Sequence, residues 1–380
     1  MKVALAHDFL REYGGAERVL EVLHEIFPDA PVYTTYANLD AMGENGKRFK
    51  SWDLRPSWFQ KFPFANQLLS PFRIFAPLMF ESFDLSEYNL VISSSSATHL
   101  AKSVITRPET LHISYIHTPP RFLYGYTTSF NYKKRWWTRI GGEIINHFMR
   151  IYDFEVSQRP DILIANSKNV QSRIKKFYRR DSVVIYPPVD LESIKYRVLG
   201  IKGKKKDYFL VLSRLTRGKG VDVIIEACAR LGLPLKIAGT GPELKSLMFK
   251  VKSENLNNIE FLEWVSDEER IKLLQNAKAL IVASEDEDFG ITSIEAQATG
   301  TPVIAPASGG FLETVIDQKT GLLYDGSGQV TVESLVEALQ SFDSQEFKID
   351  DLLKNAEKFS KERFKKEILD LVDKNLKNYG

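Results

Sequence analysis

Phe209-Leu210-Val211-Leu212-Ser213-Arg214-Leu215-Thr216-Arg217-Gly218-Lys219-Gly220 leads directly into a helical pattern over 219–231, and a strand-like run returns at 235–238. A short apolar run, a polar glycine-containing turn and a helix-length connection make up the repeating unit of a parallel sheet. The same alternation extends both ways. In the carboxyl half, strands are expected near 208–212, 235–238, 259–262, 279–283, 302–305 and 321–324, with helices near 219–231, 242–252, 267–276, 291–299, 310–316 and 331–342. In the amino half, strands are expected near 2–6, 31–35, 89–93, 112–116, 161–165 and 183–185, with helices near 15–27, 132–156 and 168–178. Strands separated by helices imply parallel sheets covered on both faces, hence an α/β fold of two Rossmann-like, doubly wound domains.

Tyr186-Pro187-Pro188-Val189 can continue neither a helix nor a central strand, and Gly200 to Lys206 reads as a basic turn. The hinge is therefore placed at 186–190, between domains 1–186 and 187–359. Residues 350–379 read as helix, with apolar positions that include Leu352, Phe359, Phe364, Ile368 and Val372. In doubly wound sheets, ligands sit beyond the carboxyl ends of the strands, where helix amino termini also point. Chemistry is expected in the loops after strands, in a cleft between two such domains.

The chain of 380 residues carries 51 basic and 49 acidic side chains and one cysteine, which excludes disordered and disulfide-rich classes. Cys228, within Ile225-Glu226-Ala227-Cys228-Ala229, reads as a buried core thiol. The run Val3 to Ala6 is cut short by His7 and Asp8, so no secretory signal is expected and the protein is placed in the cytoplasm. The most membrane-like stretch, Ile74 to Phe80, holds a proline and is far short of the roughly 20 apolar residues of a spanning helix. Charge is unevenly shared: residues 1–186 carry a net +6 and 187–380 a net −4. The amino half is expected to face an anionic partner. Within 110–142 lie Arg121, Lys133, Lys134, Arg135 and Arg139, with eight aromatic residues and no acid.

Four segments carry chemistry. In Ser284-Glu285-Asp286-Glu287-Asp288-Phe289-Gly290-Ile291-Thr292-Ser293-Ile294-Glu295-Ala296, four adjacent carboxylates repel one another, so a positive or hydroxyl-rich neighbour is expected. Gly290 permits close backbone approach, and the helix behind it offers free N–H groups. Glu287 and Glu295 are placed to accept hydrogen bonds from the two sugars of a nucleotide sugar. A solvated turn and a cation-binding D-x-D at Asp286 to Asp288 are the rival readings. Asp288-Phe289-Gly290 also spells a kinase magnesium motif, but no catalytic H-R-D loop accompanies it.

The second segment is Ser213 to Gly220. Arg214, Arg217 and Lys219 stand against the helix dipole and favour a bound anion such as phosphate, the rival being a solvated basic turn. The third is a pair of glycine turns, Gly14-Gly15 and Gly239-Thr240-Gly241; neither fits G-x-G-x-x-G, which argues against a nicotinamide enzyme. The fourth is His117, at the end of a strand before Pro119-Pro120. His112 and His117 lack a nearby carboxylate in sequence, so no metal site is expected.

Together these residues resemble the retaining glycosyltransferases of family four, with the two-Rossmann-domain architecture called GT-B, over nearly the whole chain. Glu287 and Glu295 match that family's E-x₇-E motif, Arg214 and Lys219 its R-L-x-x-x-K-G motif, Gly14-Gly15-Ala16-Glu17-Arg18 its glycine loop and His117 its cleft histidine. Asp288 and Ser213 depart from the pattern, each standing where glycine is common. The resemblance implies donor binding by 187–359 and acceptor binding by 1–186, with a final helix, 360–380, crossing back to the first domain. Arg214 and Lys219 would hold the diphosphate, Glu295 the ribose and Glu287 the transferred sugar. The N–H groups of Phe289, Gly290, Ile291 and Thr292 would complete the contacts, Gly14, Gly15 and His117 would close over the reacting centre, and Gly239 joins the donor set. Base selection is assigned near Trp264-Val265, with Val265 in the donor site.

Residues 287–298 most resemble mannosyltransferases of bacterial surface-polysaccharide (O-antigen type) assembly. The expected activity is therefore metal-independent, cofactor-free transfer of mannose from GDP-mannose to a saccharide or lipid-linked acceptor. A UDP-sugar donor, a nucleotide-sugar epimerase and a non-catalytic sugar-nucleotide-binding protein are the alternatives, and nucleic-acid binding is not expected. The stretch 121–139, with Trp58, Phe59, Phe62 and Phe64, reads as a peripheral contact with an anionic membrane surface or as a sugar-stacking platform.

Overall fold

The run Val3–His7 forms strand β1, buried from Ala4 onward, and the amphipathic helix Gly15–Ile26 follows it. The structure, a computed structural model, describes residues 1–96, 99–127, 136–198, 208–326 and 329–377. It falls into two compact units: Met1–Tyr126, Asn131–Pro188 and Glu362–Gly380 form one, and Thr127–Phe130 with Val189–Lys361 the other.

In the first unit β1 is joined by β2 (Val32–Thr34), β3 (Leu54–Pro56), β4 (Leu90–Ser95), β5 (Leu111–Ile116), β6 (Ile162–Ala165) and β7 (Val183–Val184). All pair in parallel, in the order β3-β2-β1-β4-β5-β6-β7. The second unit contains β8 (Phe209–Leu212), β9 (Leu235–Ala238), β10 (Ile259–Glu263), β11 (Leu280–Ile281), β12 (Val303–Pro306) and β13 (Gly321–Tyr324). They too are parallel, ordered β10-β9-β8-β11-β12-β13. Each sheet winds outward from its first strand in one direction and then in the other, so strand order reverses between β1 and β4 and between β8 and β11. At such a switch point two successive loops part and leave a crevice at the strand ends.

The apolar strands are covered on both faces. One face of the first sheet packs Leu5, Ile92 and Ile113 on Val19 and Leu23 of the first helix, and the other packs Ala4, Ala6 and Val91 on Phe80. In the second unit, Val211 and Ile281 meet Ile224, Ile225 and Cys228, while Leu210 and Leu280 meet Ala296 and Phe311 on the opposite side. Cys228 is fully buried, and burial pushes its thiol up to about 12, as suits a core residue.

Several expectations change. The segment 350–379 is two helices, Ile349–Glu357 and Lys361–Leu376, because Phe359 turns inward and Ser360 makes a bridge with Val189. The second of these helices sends Phe364, Ile368 and Val372 into the core of the first unit. At about 1.5–3 kcal/mol per fully buried apolar side chain, these three residues suffice to hold it there. Between Asp40 and Glu81 short helical pieces, with β3 among them, replace any long element. Their turns are too brief to show a period. The helix Leu191–Val198, just past the Pro187-Pro188 break, is likewise absent from the sequence reading. The 302–305 strand and the 310–316 helix appear as Val303–Pro306 and Phe311–Thr314. The basic turn 200–206 and residues 128–135 lie outside the described residues, and the described part of the 132–156 helix is Trp136–Val156.

Candidate functional site

The loops that follow β8 and β11 meet at the switch point of the second sheet. Gly220 adopts a left-handed conformation in which a Cβ would overlap the Ala283 carbonyl oxygen, so only glycine lets the loops lie this close. The Glu285 N–H donates to the Gly218 carbonyl at 2.9 Å. Lys219 Nζ then lies 2.8 Å from Glu287 Oε2, both side chains being partly buried. This pair answers the repulsion built into Glu285 to Asp288. Thr127 answers more of it, its hydroxyl donating to Glu285 at 3.1 Å and its N–H to Asp286 at 3.3 Å. Arg214 stands exposed on the first loop. Positive and negative groups 68 residues apart in sequence thus share one crevice.

Gly239, at the end of β9, supports this arrangement from behind. A Cβ there would overlap the Ser213 carbonyl oxygen, and the Leu215 N–H donates to Thr240 at 2.8 Å. In this structure Gly239 therefore positions the Arg214 loop. Gly290, also left-handed, caps the helix Ile291–Ala298 and turns Phe289 inward against Phe359. Ile291 and Thr292 begin that helix, and Glu295 sits one turn in, buried and held by Arg270 Nη1. Arg270 also reaches Asp267 at 3.1 Å. Sequence reasoning missed Arg270, because one arginine in the charged helix Asp267–Asn276 carries no sign of a partner 25 residues away. Trp264 is exposed and Val265 packs against the core beneath β8 and β11.

The remaining expected residues, Gly14, Gly15 and His117, gather at the switch point of the first sheet. Gly14 caps the first helix and donates its N–H to Glu17 Oε2 at 2.8 Å. Glu17 Oε1 in turn lies 3.5 Å from His7 Nε2. His7 and Ser94 are register partners on β1 and β4, and Ser94 and Tyr115 on β4 and β5. His117, two residues past Tyr115, faces the same side. Ser94 Oγ lies 3.1 Å from His7 Nδ1 and 2.9 Å from His117 Nε2. The expectation that His117 stands away from any carboxylate therefore needs correcting: two buried side chains link it to Glu17. Burial pushes His117 down to about 3, with the His7 ring adding to the effect, so its imidazole is neutral near pH 7. Ser94 was not singled out in the sequence, although four successive serines at 93–96 were visible there, and Glu17 and His7 entered only as part of the glycine loop and as the end of an apolar run.

Residues 195–363, most of the second unit, match the family described as glycosyl transferases group 1. A D-inositol 3-phosphate glycosyltransferase of Corynebacterium urealyticum is 28% identical over 249 residues, 58% of this chain and 58% of that protein. The match thus spans little more than half of that relative. Among solved structures, that of Anabaena HepE in complex with UDP and glucose superposes with a TM-score of 0.71 at 18% identity, over 98% of this chain and 100% of that one. The apo lipopolysaccharide outer core galactosyltransferase WaaB gives 0.65 at 17% identity, over 99% of this chain and 100% of that one. The fold is that of GT-B glycosyltransferases: two Rossmann-like α/β domains with parallel sheets.

Proposed function

We propose that the protein is a retaining glycosyltransferase that moves a hexose from a nucleotide sugar to a saccharide acceptor in cell-surface polysaccharide assembly. One observation carries the reading: the Arg214–Lys219 loop and the Glu287 loop close on each other, with 2.8 Å between Lys219 and Glu287, beside the amino terminus of the Ile291–Ala298 helix. As the anomeric bond breaks, the sugar gains positive character and the diphosphate gains negative charge. Arg214, Lys219 and the helix N–H groups of 289–292 would take up that leaving charge, already in position and with no resident metal. Donor binding would exchange the ion pair for two new contacts, phosphate to Lys219 and sugar hydroxyls to Glu287. Glu295 would hold the ribose and His117 would meet the reacting sugar. No side chain is assigned as a nucleophile. Attack comes from the face the diphosphate leaves, with its oxygen as base.

The specific donor in this reading is GDP-mannose, on the sequence of 287–298. A UDP-sugar is the second reading, favoured by the solved Anabaena structures in complex with UDP and with UDP-glucose. Thermal melts against a panel of GDP- and UDP-sugars separate the two, since a ligand at 100 times its Kd adds about 2.7 kcal/mol to the folded state. Stabilisation by one base and not the other identifies the donor, and no stabilisation by any nucleotide sugar contradicts the reading. Product analysis with donor alone then exposes an epimerase. Donor binding without turnover on any acceptor marks a non-catalytic binder.

The reading also includes peripheral contact with an anionic membrane that carries a lipid-linked acceptor. Ile144, Ile145, Phe148, Ile151 and Phe154 are exposed along the Trp136–Val156 helix, an unusual concentration of large apolar side chains facing outward. Trp58, Phe62 and Phe64 are exposed as well, Phe64 at 75%, whereas Phe59 is fully buried and leaves the expected patch. The basic residues Lys133, Lys134 and Arg135 precede the helix in sequence and lie outside the described residues. Among the described residues no helix is long and apolar enough to cross a membrane.

A further inference from the structure

We propose that Glu17, His7 and Ser94 form a hydrogen-bonded relay that fixes His117 as the Nε2–H tautomer and keeps its Nδ1 lone pair bare to accept a hydrogen bond from a substrate hydroxyl. The substrate half of this proposal rests on the glycosyl-transfer reading, and the tautomer half stands without it. The direction of the relay follows from which groups can donate. Glu17 Oε2 already accepts the Gly14 N–H at 2.8 Å, and its other oxygen faces His7 Nε2 at 3.5 Å. A carboxylate has no proton to give, so a neutral His7 places its own N–H toward Glu17 and leaves Nδ1 as an acceptor. The only proton on Ser94 Oγ then goes to His7 Nδ1, across 3.1 Å. Ser94 oxygen is left to accept, and the group 2.9 Å away must donate: His117 carries its hydrogen on Nε2. The opposite direction would set a lone pair of His7 against the Glu17 carboxylate in a site where both side chains are more than nine-tenths buried.

The arrangement is built into the fold. Ser94 is fully buried, and the strand pairing of His7 with Ser94 sets the two side chains next to each other on one face of the sheet. On the opposite face Ser93 engages His112 and Ser114 instead, so the two networks do not mix. Burial keeps His117 neutral near pH 7, and a neutral ring has one tautomer to choose. Glu17, His7 and Ser94 are positioning residues: they act through His117.

Glu17→Gln gives the sharpest test. Its amide oxygen is retained by the Gly14 N–H, which turns the NH₂ toward His7 Nε2 and reverses every donor in the chain. His117 should then carry its hydrogen on Nδ1. Nitrogen-15 NMR of the full-length protein labelled on histidine reads this directly, with the His117 signals assigned by their loss in His117→Asn. Spectra are taken at pH 8, above the ordinary imidazole pKa of about 6.5. The expected result is a protonated Nε2 and a bare Nδ1 in the wild type, inversion in Glu17→Gln, and mixed tautomers in Ser94→Ala. An Nδ1–H ring in the wild type, or a tautomer unmoved by both substitutions, overturns the proposal. In transfer assays Glu17→Gln should lower kcat by about tenfold or more, the worth of one misdirected hydrogen bond, with the donor KM nearly unchanged. Inversion of the ring without transfer by the wild type upholds the relay and removes the glycosyl-transfer reading. Transfer by a wild type whose ring is already Nδ1–H does the reverse.

Discussion

Gly239 separates support from chemistry at the scale of single residues. Adding a methyl group forces the Ser213 carbonyl away and with it the loop that carries Arg214. Gly239→Ala should therefore lower stability by about 1–3 kcal/mol, the usual range for overpacking, and weaken donor binding although the residue bears no functional group. Urea denaturation and calorimetry on the same variant check both effects, and unchanged stability with unchanged affinity would remove Gly239 from this role. Arg214, Lys219 and Glu287 were legible in the sequence because each is a charge that a structural loop gains nothing by holding. Their neighbours were not. Arg270 resembles any helical arginine, and Ser94 lies 87 residues from His7 in sequence, so only strand pairing brings them together.

At the scale of elements, the Trp136–Val156 helix is fixed on one side and open on the other. Its Asp153 accepts from Lys102 at 2.6 Å and from Tyr124 at 2.7 Å, and the Lys102–Asp153 pair is almost wholly buried. Burial lowers the Lys102 pKa while Asp153 opposes the shift, so the charges are kept by each other. The inner face is thereby anchored and the apolar outer face stays exposed. Phe148→Glu, at a position 65% exposed, should leave the fold unchanged and weaken flotation with anionic vesicles several-fold. Wild-type flotation that is absent, or insensitive to salt, contradicts the membrane contact. The strands were readable because burial on both faces leaves continuous apolar runs. The break at 358–360 was not, since an inward phenylalanine at a helix end fits the same apolar spacing as a helix interior.

At the scale of the whole molecule, the first unit carries three histidines that folding keeps neutral. Burial pushes His99 and His112 down to about 4 and His117 to about 3. The unfolded chain protonates the same groups near 6.5, so their contribution is complete above that pH and is lost as pH falls toward 4 and then 3. Each group can change stability by up to about 1.4 kcal/mol per pH unit inside that window. Scanning calorimetry from pH 7.5 to 5.5 should show the transition of the first unit falling in temperature, and a transition independent of pH would refute the assignment. The alternation of strand and helix announced two doubly wound sheets; Pro188 ends a segment of the first unit and Val189 begins one of the second. The strand order, and hence which loops share a crevice, came only from pairing. Calorimetric titration of a nucleoside diphosphate and of its sugar conjugate tests that sharing most directly. Lys219→Ala should weaken both ligands by tenfold or more, about the value of one charge-assisted hydrogen bond, whereas Glu287→Ala should weaken only the conjugate. Equal affinities of the two variants and the wild type for both ligands would contradict the account.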